Sequence, residues 1–332
     1  MTKQSLAAAF RAHTNIALIK YWGKRNKELF LPVTSSLSLT LDAFYTDTQV
    51  EFDTSLTSDV FYLNGDLQDD RSTAKVSRFL DLFRAEAEQT DLFATIRSIN
   101  HVPTAAGLAS SASAFAALAG ACNLALDLNL DTQTLSTFAR QGSGSASRSL
   151  LGGFVEWHKG EDDDSASSYA EAFDDANWDL AMVFVIINRQ AKKIDSRLGM
   201  EHTNQTSPFY ELWPQEVAQD LEKIKPAIKA HDLDAVGTIA EHNAMKMHAM
   251  TIAANPSFTY WEPGSIEAMQ IVRQLREDGI SAYITMDAGP NVKVLCRASE
   301  AEHVKAAFVP RFGENQIVIA KPGPDAYPID KE

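Results

Sequence analysis

A chain of 332 residues is longer than one ordinary domain and suits two. Its apolar share of 45% and charged share of 22% are those of a globular protein with a sizeable core. The 30 Lys and Arg against 44 Asp and Glu leave a net charge of −14, which argues against nucleic acid or an anionic membrane as partner, yet permits a small anionic ligand wherever the cations cluster.

The opening MTKQSLAAAF lacks the long apolar core of a signal peptide, and a cytoplasmic protein is expected. Cys122 and Cys296 lie far apart among apolar neighbours and read as buried free thiols in a reducing compartment. The first predicted strand, 16–21, runs into Asn15-Ile-Ala-Leu-Ile-Lys-Tyr-Trp-Gly-Lys24. This puts Lys20, Tyr21 and Lys24 near a strand end, where sites are common. Lysines guarding an edge strand are the alternative, which leaves Asn15 and Gly23 unexplained. Further strands are predicted at 38–41, 48–52, 60–63 and 94–100, from β-branched and aromatic runs bounded by turn residues such as Asn64-Gly65-Asp66. A helix over 74–88 carries Val76, Phe79, Leu80 and Phe83 on one face.

Next comes Pro103-Thr-Ala-Ala-Gly-Leu-Ala-Ser-Ser-Ala-Ser113, a turn feeding a helix of small residues. Gly107 permits close backbone approach, and Ser110, Ser111 and Ser113 add hydroxyls where the first N–H groups of a helix have no partner. Such a helix start suits phosphate; tight helix packing is the competing reading. It is not a Walker A loop, because no Lys follows at the required spacing. Residues 102–126 carry no charge and are long enough to span a bilayer, but Pro, Gly, Ser and Ala dominate, so a loop and a buried helix over 110–126 are expected. A helix at 132–140 follows. Gly142-Ser-Gly-Ser-Ala-Ser-Arg148 could be a linker, yet it is short, lies inside the first domain and ends in Arg. Backbone N–H groups, hydroxyls and a guanidinium fork together suit a carboxylate or diphosphate. A strand is predicted at 152–158, and the acidic run 161–164 reads as a solvated loop.

The second half opens with a buried strand at 180–187. A cationic cluster follows at Arg189, Lys192, Lys193 and Arg197, beside Ser196, Gly199 and Met200; a site and an ordinary surface loop are both open there. Helices at 214–230, 233–250 and 265–278, strands at 281–286 and 292–297, a helix at 298–308 and a strand at 316–320 complete an α+β order. Thr285-Met-Asp-Ala-Gly-Pro-Asn291 joins two of these strands. Asp287 is there either a turn residue or a general base at a strand end. His242 and His248 are six positions apart on one helix and make no metal face; no zinc spacing or Gly-x-Ser-x-Gly elbow exists. No protein metal ligand is expected, and any divalent ion would be magnesium arriving with nucleotide phosphates.

The segments at 15–24, 103–112, 142–149 and 286–293, taken in order, closely resemble the diphosphomevalonate decarboxylases, within the superfamily of galacto-, homoserine, mevalonate and phosphomevalonate kinases. The Tyr-Trp-Gly-Lys and Met-Asp-Ala-Gly-Pro-Asn runs carry the resemblance, which spans nearly the whole chain. It implies an α+β fold of two domains, an N-terminal one like ribosomal protein S5 domain 2 (1–179) and a ferredoxin-like C-terminal one (180–332), with the site in the cleft. It implies ATP-dependent conversion of (R)-mevalonate 5-diphosphate to isopentenyl diphosphate with ADP, phosphate and carbon dioxide, in the mevalonate pathway. ATP and Mg2+ are the implied cofactors, and a homodimer without nucleic-acid or membrane partners is expected.

By resemblance, Asp287 orients or deprotonates the 3-hydroxyl, Arg148 clamps the C1 carboxylate and Lys24 completes the catalytic set. Tyr21, Lys24, Ser143, Gly144, Ser145, Ser196, Arg197 and Met200 surround the diphosphate. Pro103, Ala105, Ala106, Gly107, Leu108, Ala109, Ser110 and Ser111 cradle the ATP phosphates. Asp195 departs from the pattern, where a small hydroxyl residue is expected; its charge is tolerable there if it points away or pairs with Lys192 or Lys193. Two rivals remain: a kinase of the same superfamily that phosphorylates without decarboxylating, and a non-catalytic binder that keeps the fold.

Overall fold

The structure, a computed structural model, describes residues 6–101, 110–161, 163–190 and 194–330, with the backbone alone of Ser110. The expected phosphate-loop residues Pro103, Ala105, Ala106, Gly107, Leu108 and Ala109, and Lys192 and Lys193, lie outside these.

Strand β1 (Ala7–Ile19) begins the chain, followed by a small hairpin of β2 (Lys24–Asn26) and β3 (Leu31–Pro32). Strand β4 (Ser36–Asp53) absorbs both strands predicted at 38–41 and 48–52, since no breaker separates them. Its second half alternates buried and open residues, with Phe44, Thr46, Thr48, Val50 and Phe52 facing the core, while its first six residues are buried on both faces. Then come β5 (Val60–Leu63), β6 (Asp66–Leu67), α1 (Asp70–Glu86) and β7 (Phe93–His101). Helices α2 (Ser110–Ala125) and α3 (Thr132–Gly142) and a 3-10 segment, Gly144–Leu150, precede β8 (Phe154–Trp157) and β9 (Ala170–Asp174). The Gly/Ser run is thus not a flexible linker; its residues 144–150 are almost entirely buried.

Among the described residues these strands, apart from the separate β2–β3 hairpin, form one sheet, in which β4 pairs with β1 along much of its length, with β8 at one end and with β7 at the other. Two register shifts in the β1–β4 pairing, between His13 and Asn15 and between Ala17 and Ile19, fall just before the lysine-bearing end of β1. Aspartates start the helices: Asp69 accepts from Ser72 N–H and Asp131 from Thr134 N–H, each at 2.7 Å. The small residues of α2 do serve packing. A Cβ at Gly120 would come within 2.4 Å of the Phe10 ring on β1.

The second half runs β10 (Ala181–Val185), α4 (Ser196–Thr206), α5 (Trp213–Lys229), α6 (Leu233–Ile252), α7 (Pro263–Glu277), β11 (Ala282–Thr285), β12 (Val292–Cys296), α8 (Ala301–Phe312) and β13 (Ile317–Ala320). Its antiparallel sheet has the order β13-β10-β12-β11, the split βαβ arrangement of ferredoxin-like folds. A last strand, β14 (Tyr327–Ile329), unforeseen from sequence, returns to the first sheet and pairs with β1. The two halves share an apolar core. Ile19, Trp22, Leu39 and Phe154 of the first pack in one cluster with Met182, Trp213, Ile224 and Met247 of the second. Burial of that kind makes the seam between the halves a firm one. No helix among the described residues is long and apolar enough to cross a membrane.

Candidate active site

A cavity of about 280 Å3 lies on this seam. The end of β1, the β2 hairpin, the 3-10 segment, the start of α4 and the β11–β12 turn all meet there, each contributing side chains to the lining. Five cations line it, Lys20, Lys24, Lys75, Arg148 and Arg197, against two carboxylates, Asp195 and Asp287. In a chain of net charge −14, this local positive excess marks an anion site.

Asp287 sits in the β11–β12 turn, and its carboxylate bridges two buried ammonium groups. Lys20 Nζ donates to Oδ1 at 2.7 Å, and Lys293 Nζ lies 2.9 Å from Oδ2. Burial alone would raise the Asp287 carboxyl, but the two lysines outweigh it and hold it far below the usual carboxylate range. Asp287 is therefore ionised, and at 36% exposed it still faces the cavity. Residues 285–291 do form a turn, Gly289 N–H closing it on Asp287 O at 2.8 Å, and the Asp287 side chain lines the cavity from it. Lys20 is no edge guard. It is 2% exposed, donates also to Ala17 O at 2.7 Å, and is pushed down to about 8 by burial despite the countering charge of Asp287. From sequence, Lys20 was placed near a strand end without a role, and Lys293 was not singled out. The available signals were a lysine closing the apolar run of β1 and a lysine inside the apolar strand β12.

Arg148 is buried at the end of the 3-10 segment and pushed down to about 10 by desolvation, so it stays charged at neutral pH. Its Nε donates to Ser38 Oγ at 2.9 Å and approaches Asn15 Oδ1 at 3.3 Å, and Nη1 donates to Ser36 Oγ. These partners fix the plane of the guanidinium, and Nη2 has no hydrogen-bond partner among the described residues. Tyr21 packs against Trp157 with the rings tilted at 59° and their centroids 4.8 Å apart, and its hydroxyl is buried with no partner among the described residues. A cavity-lining, unpaired hydroxyl is a donor awaiting an acceptor. Gly144 is dictated by this pair, since a Cβ there would lie 2.9 Å from Trp157 and 3.0 Å from Tyr21. Ser143 Oγ lies 3.3 Å from Ser111 Oγ and 3.5 Å from Ser145 Oγ, a line of hydroxyls across the cavity wall.

Lys24 and Arg197 share the Phe30 ring, at 3.6 and 5.1 Å from its centroid. Burial, with the neighbouring Arg197 and Lys27, pushes Lys24 down to about 8. Asp195 is the N-cap of α4: its Oδ1 accepts from Arg197 N–H at 2.8 Å. An aspartate does the work of the hydroxyl residue expected there, and it lines the cavity rather than pointing away. Ser196 and Met200, on the first turns of α4, complete that wall. Of the predicted phosphate-cradling residues only Ser111 lies on this cavity among those described. A second, mainly apolar hollow of about 220 Å3, lined by Phe61, Leu63, Val76, Phe115 and Leu118, shares Lys75 and Ser111 with the first. Nothing in the sequence reading foresaw it. No group of three His, Cys, Asp or Glu able to hold a metal occurs among the described residues.

Two family models match the chain. The diphosphomevalonate decarboxylase-like N-terminal domain covers residues 12–170, and the mevalonate 5-diphosphate decarboxylase C-terminal domain covers 182–322. The diphosphomevalonate decarboxylase of Candida albicans is 35% identical over 321 residues, 92% of this chain and 89% of that one. The mevalonate diphosphate decarboxylase of Enterococcus faecalis, in a structure concerned with mevalonate diphosphate-mediated ATP binding, superposes with a TM-score of 0.92 at 52% identity, covering 98% of this chain and 99% of its own. A complex described as MDDEF with MVAPP, AMPPCP and magnesium superposes at 0.93 and 52%, over the same shares of the two chains.

Proposed function

The chain belongs to the diphosphomevalonate decarboxylase family and is an ATP-dependent decarboxylase of mevalonate 5-diphosphate; we propose here which side chains do this work. The observation that carries the assignment of roles is the ionised Asp287 held between Lys20 and Lys293 in a cavity of cations.

The substrate is an anion at both ends. Arg148, with Nη2 open, clamps the C1 carboxylate. The diphosphate lies among Tyr21, Lys24, Ser143, Gly144, Ser145, Ser196, Arg197 and Met200, with the Tyr21 hydroxyl donating to it. These contacts bring the 3-hydroxyl to Asp287. ATP supplies a phosphoryl group that turns this hydroxyl into a leaving group. Its base fits the apolar hollow and its phosphates the strip marked by Lys75 and Ser111. Magnesium brought by the nucleotide would supply neutralisation of phosphate charge, and the hydroxyls of Ser111, Ser143 and Ser145 are the groups that would sit beside it, no three-residue carboxylate or histidine cluster occurring among the described residues.

A carboxylate held so far down takes a proton poorly from a resting alcohol. Asp287 therefore acts first by orientation, accepting a hydrogen bond from the 3-hydroxyl and aiming its oxygen at the γ-phosphorus. As the bond from this oxygen to the γ-phosphorus forms and the bond from that phosphorus to ADP breaks, the proton passes to Asp287, which with its low affinity releases it to water and is ionised again before the next step. When phosphate then departs with the C3–O electron pair, positive charge grows at C3, and the fixed negative charge of Asp287 stabilises it. The C1–C2 pair becomes the C2=C3 double bond, and C1 leaves as carbon dioxide. The domain division at 179/180 is supported by the two matched regions, which stop and start on either side of it. A homodimer in a reducing cytoplasm is our further reading, the compartment being supported by the two unpaired buried thiols.

The test uses purified protein, ATP and mevalonate 5-diphosphate labelled with carbon-14 at C1. ADP and labelled carbon dioxide should appear in equal amounts. ADP without carbon dioxide would make the chain a kinase of the superfamily, and neither product would leave a non-catalytic binder.

A further inference from the structure

Lys20 is the one contributor from β1 to the carboxylate bridge, and its backbone is held from outside its own sheet. The last β1–β4 pair is Ile19 with Leu37, so the Lys20 N–H lies beyond the ladder. It donates instead to Asn243 Oδ1 on α6, at 2.8 Å and 223 positions away. Asn243 is fully buried, and its Nδ2 donates to Asp220 Oδ2 on α5 at 2.8 Å. Asp220 is in turn held by Lys246 Nζ at 2.9 and 3.0 Å, and Lys246 reaches Glu216 at 2.8 Å. The chemistry of the partners sets the sense of the amide. A backbone N–H can only donate and a carboxylate can only accept, so the Asn243 oxygen must face Lys20 and its nitrogen Asp220.

We propose that Asn243 is a positioning residue for the reaction, holding the Lys20 backbone and so placing the ammonium that orients Asp287, with Asp220 and Lys246 fixing its amide. The inference rests on the decarboxylase reading of the cleft. It follows from a matter of leverage. Lys20 is gripped at its Nζ by Asp287 and at its N–H by Asn243, both on the second half of the molecule, while the rest of β1 belongs to the first sheet. Releasing the N–H frees the end of β1 to shift by the fraction of an ångström that matters for in-line transfer. The charged and titratable groups facing the Lys20 ammonium are Asp287 and Lys293 from the β11–β12 region, Arg148 from the 3-10 segment and His248 from α6. His248 is pushed down to about 3 by burial and stays neutral, so an alkaline limb in kcat is expected from Lys20, which burial pushes down to about 8.

The experiment compares Asn243→Ala, Asn243→Asp, Asp220→Asn and the double variant N243D/D220N with the wild type, each checked for folding by circular dichroism. Asn243→Ala should lose about 10²-fold in kcat with little change in either KM. Its alkaline limb should move to lower pH, because an ammonium displaced from Asp287 loses the charge that raises it. Asn243→Asp sets two carboxylates together and should also lose activity. In the double variant the donor and acceptor are exchanged along the same line, and kcat should recover at least about tenfold over either single change, as coupled neighbours do. If Asn243→Ala does not fold, the exchange pair alone decides. A folded Asn243→Ala with wild-type kcat and pH profile, or an exchange no better than its single changes, overturns the inference. A wild type that releases no carbon dioxide fails the decarboxylase reading instead. The pH dependence of Lys20 acetylation by acetic anhydride, followed by mass spectrometry, then still reports whether Asn243 sets its titration.

Discussion

Arg148 illustrates how a single side chain is made specific before any ligand arrives. Ser36, Ser38 and Asn15 hold one edge of the guanidinium, and burial removes competing water. A lysine at this position would keep the charge and lose the planar fork. Arg148→Lys should therefore lower kcat/KM about 10- to 100-fold, the scale of a charge-assisted hydrogen bond. Steady-state kinetics checks this, and unchanged kcat/KM would remove Arg148 as the carboxylate clamp. At this scale the sequence was informative wherever a residue type had few other uses. Arg148 at the end of a Gly/Ser run and Asp287 in a turn both stood out. Lys20 did not, because a lysine after an apolar strand has a ready surface explanation, and its partner lies 267 positions away.

At the scale of elements, α4 forms the cavity wall proposed for the diphosphate and depends on its first turn. Asp195 caps that turn, placing Ser196 and Arg197 and directing the buried face of Met200 toward the cavity. Asp195→Ala should destabilise the protein by about 1 kcal/mol, the usual loss for an N-cap. Asp195→Ser keeps a capping oxygen and removes a negative charge from an anion site, so it should hold its melting temperature and not raise the KM for the diphosphate substrate. Thermal melts and kinetics on the pair check this; equal losses in both would contradict the capping account. Helix α4 itself was not anticipated. Its sequence, SRLGMEHTNQT, has only a narrow apolar face, and local periodicity yielded to the tertiary fit of Gly199 under Tyr260, where a Cβ would lie 2.3 Å from the hydroxyl. The strands and helices with strong periodicity were legible to within a few residues. The joined β4 was not: only 38–41 and 48–52 of it read as strand from sequence, although it continues through Asp42 and Ala43 and pairs with β7 from Tyr45 onward.

For the whole molecule, the active site exists only where two differently built halves meet. The first half contributes Lys20, Tyr21 and Arg148, and the second half contributes Asp287, Lys293 and α4. A shared apolar core holds the halves in register, so the Lys20–Asp287 contact is a property of the assembled fold rather than of any one element. Composition and spacing pointed to two domains and to local clusters of cations. They could not place those clusters on one cavity, since that depends on the returning β1–β4 pair and on the ferredoxin-like sheet packing against it. The measurement that bears most directly on this account is the turnover of Asp287→Ala, with substrate binding measured by calorimetry on the same preparation. The account predicts a loss of roughly 10²–10⁴ in kcat with mevalonate 5-diphosphate still bound. A near-normal kcat would contradict it.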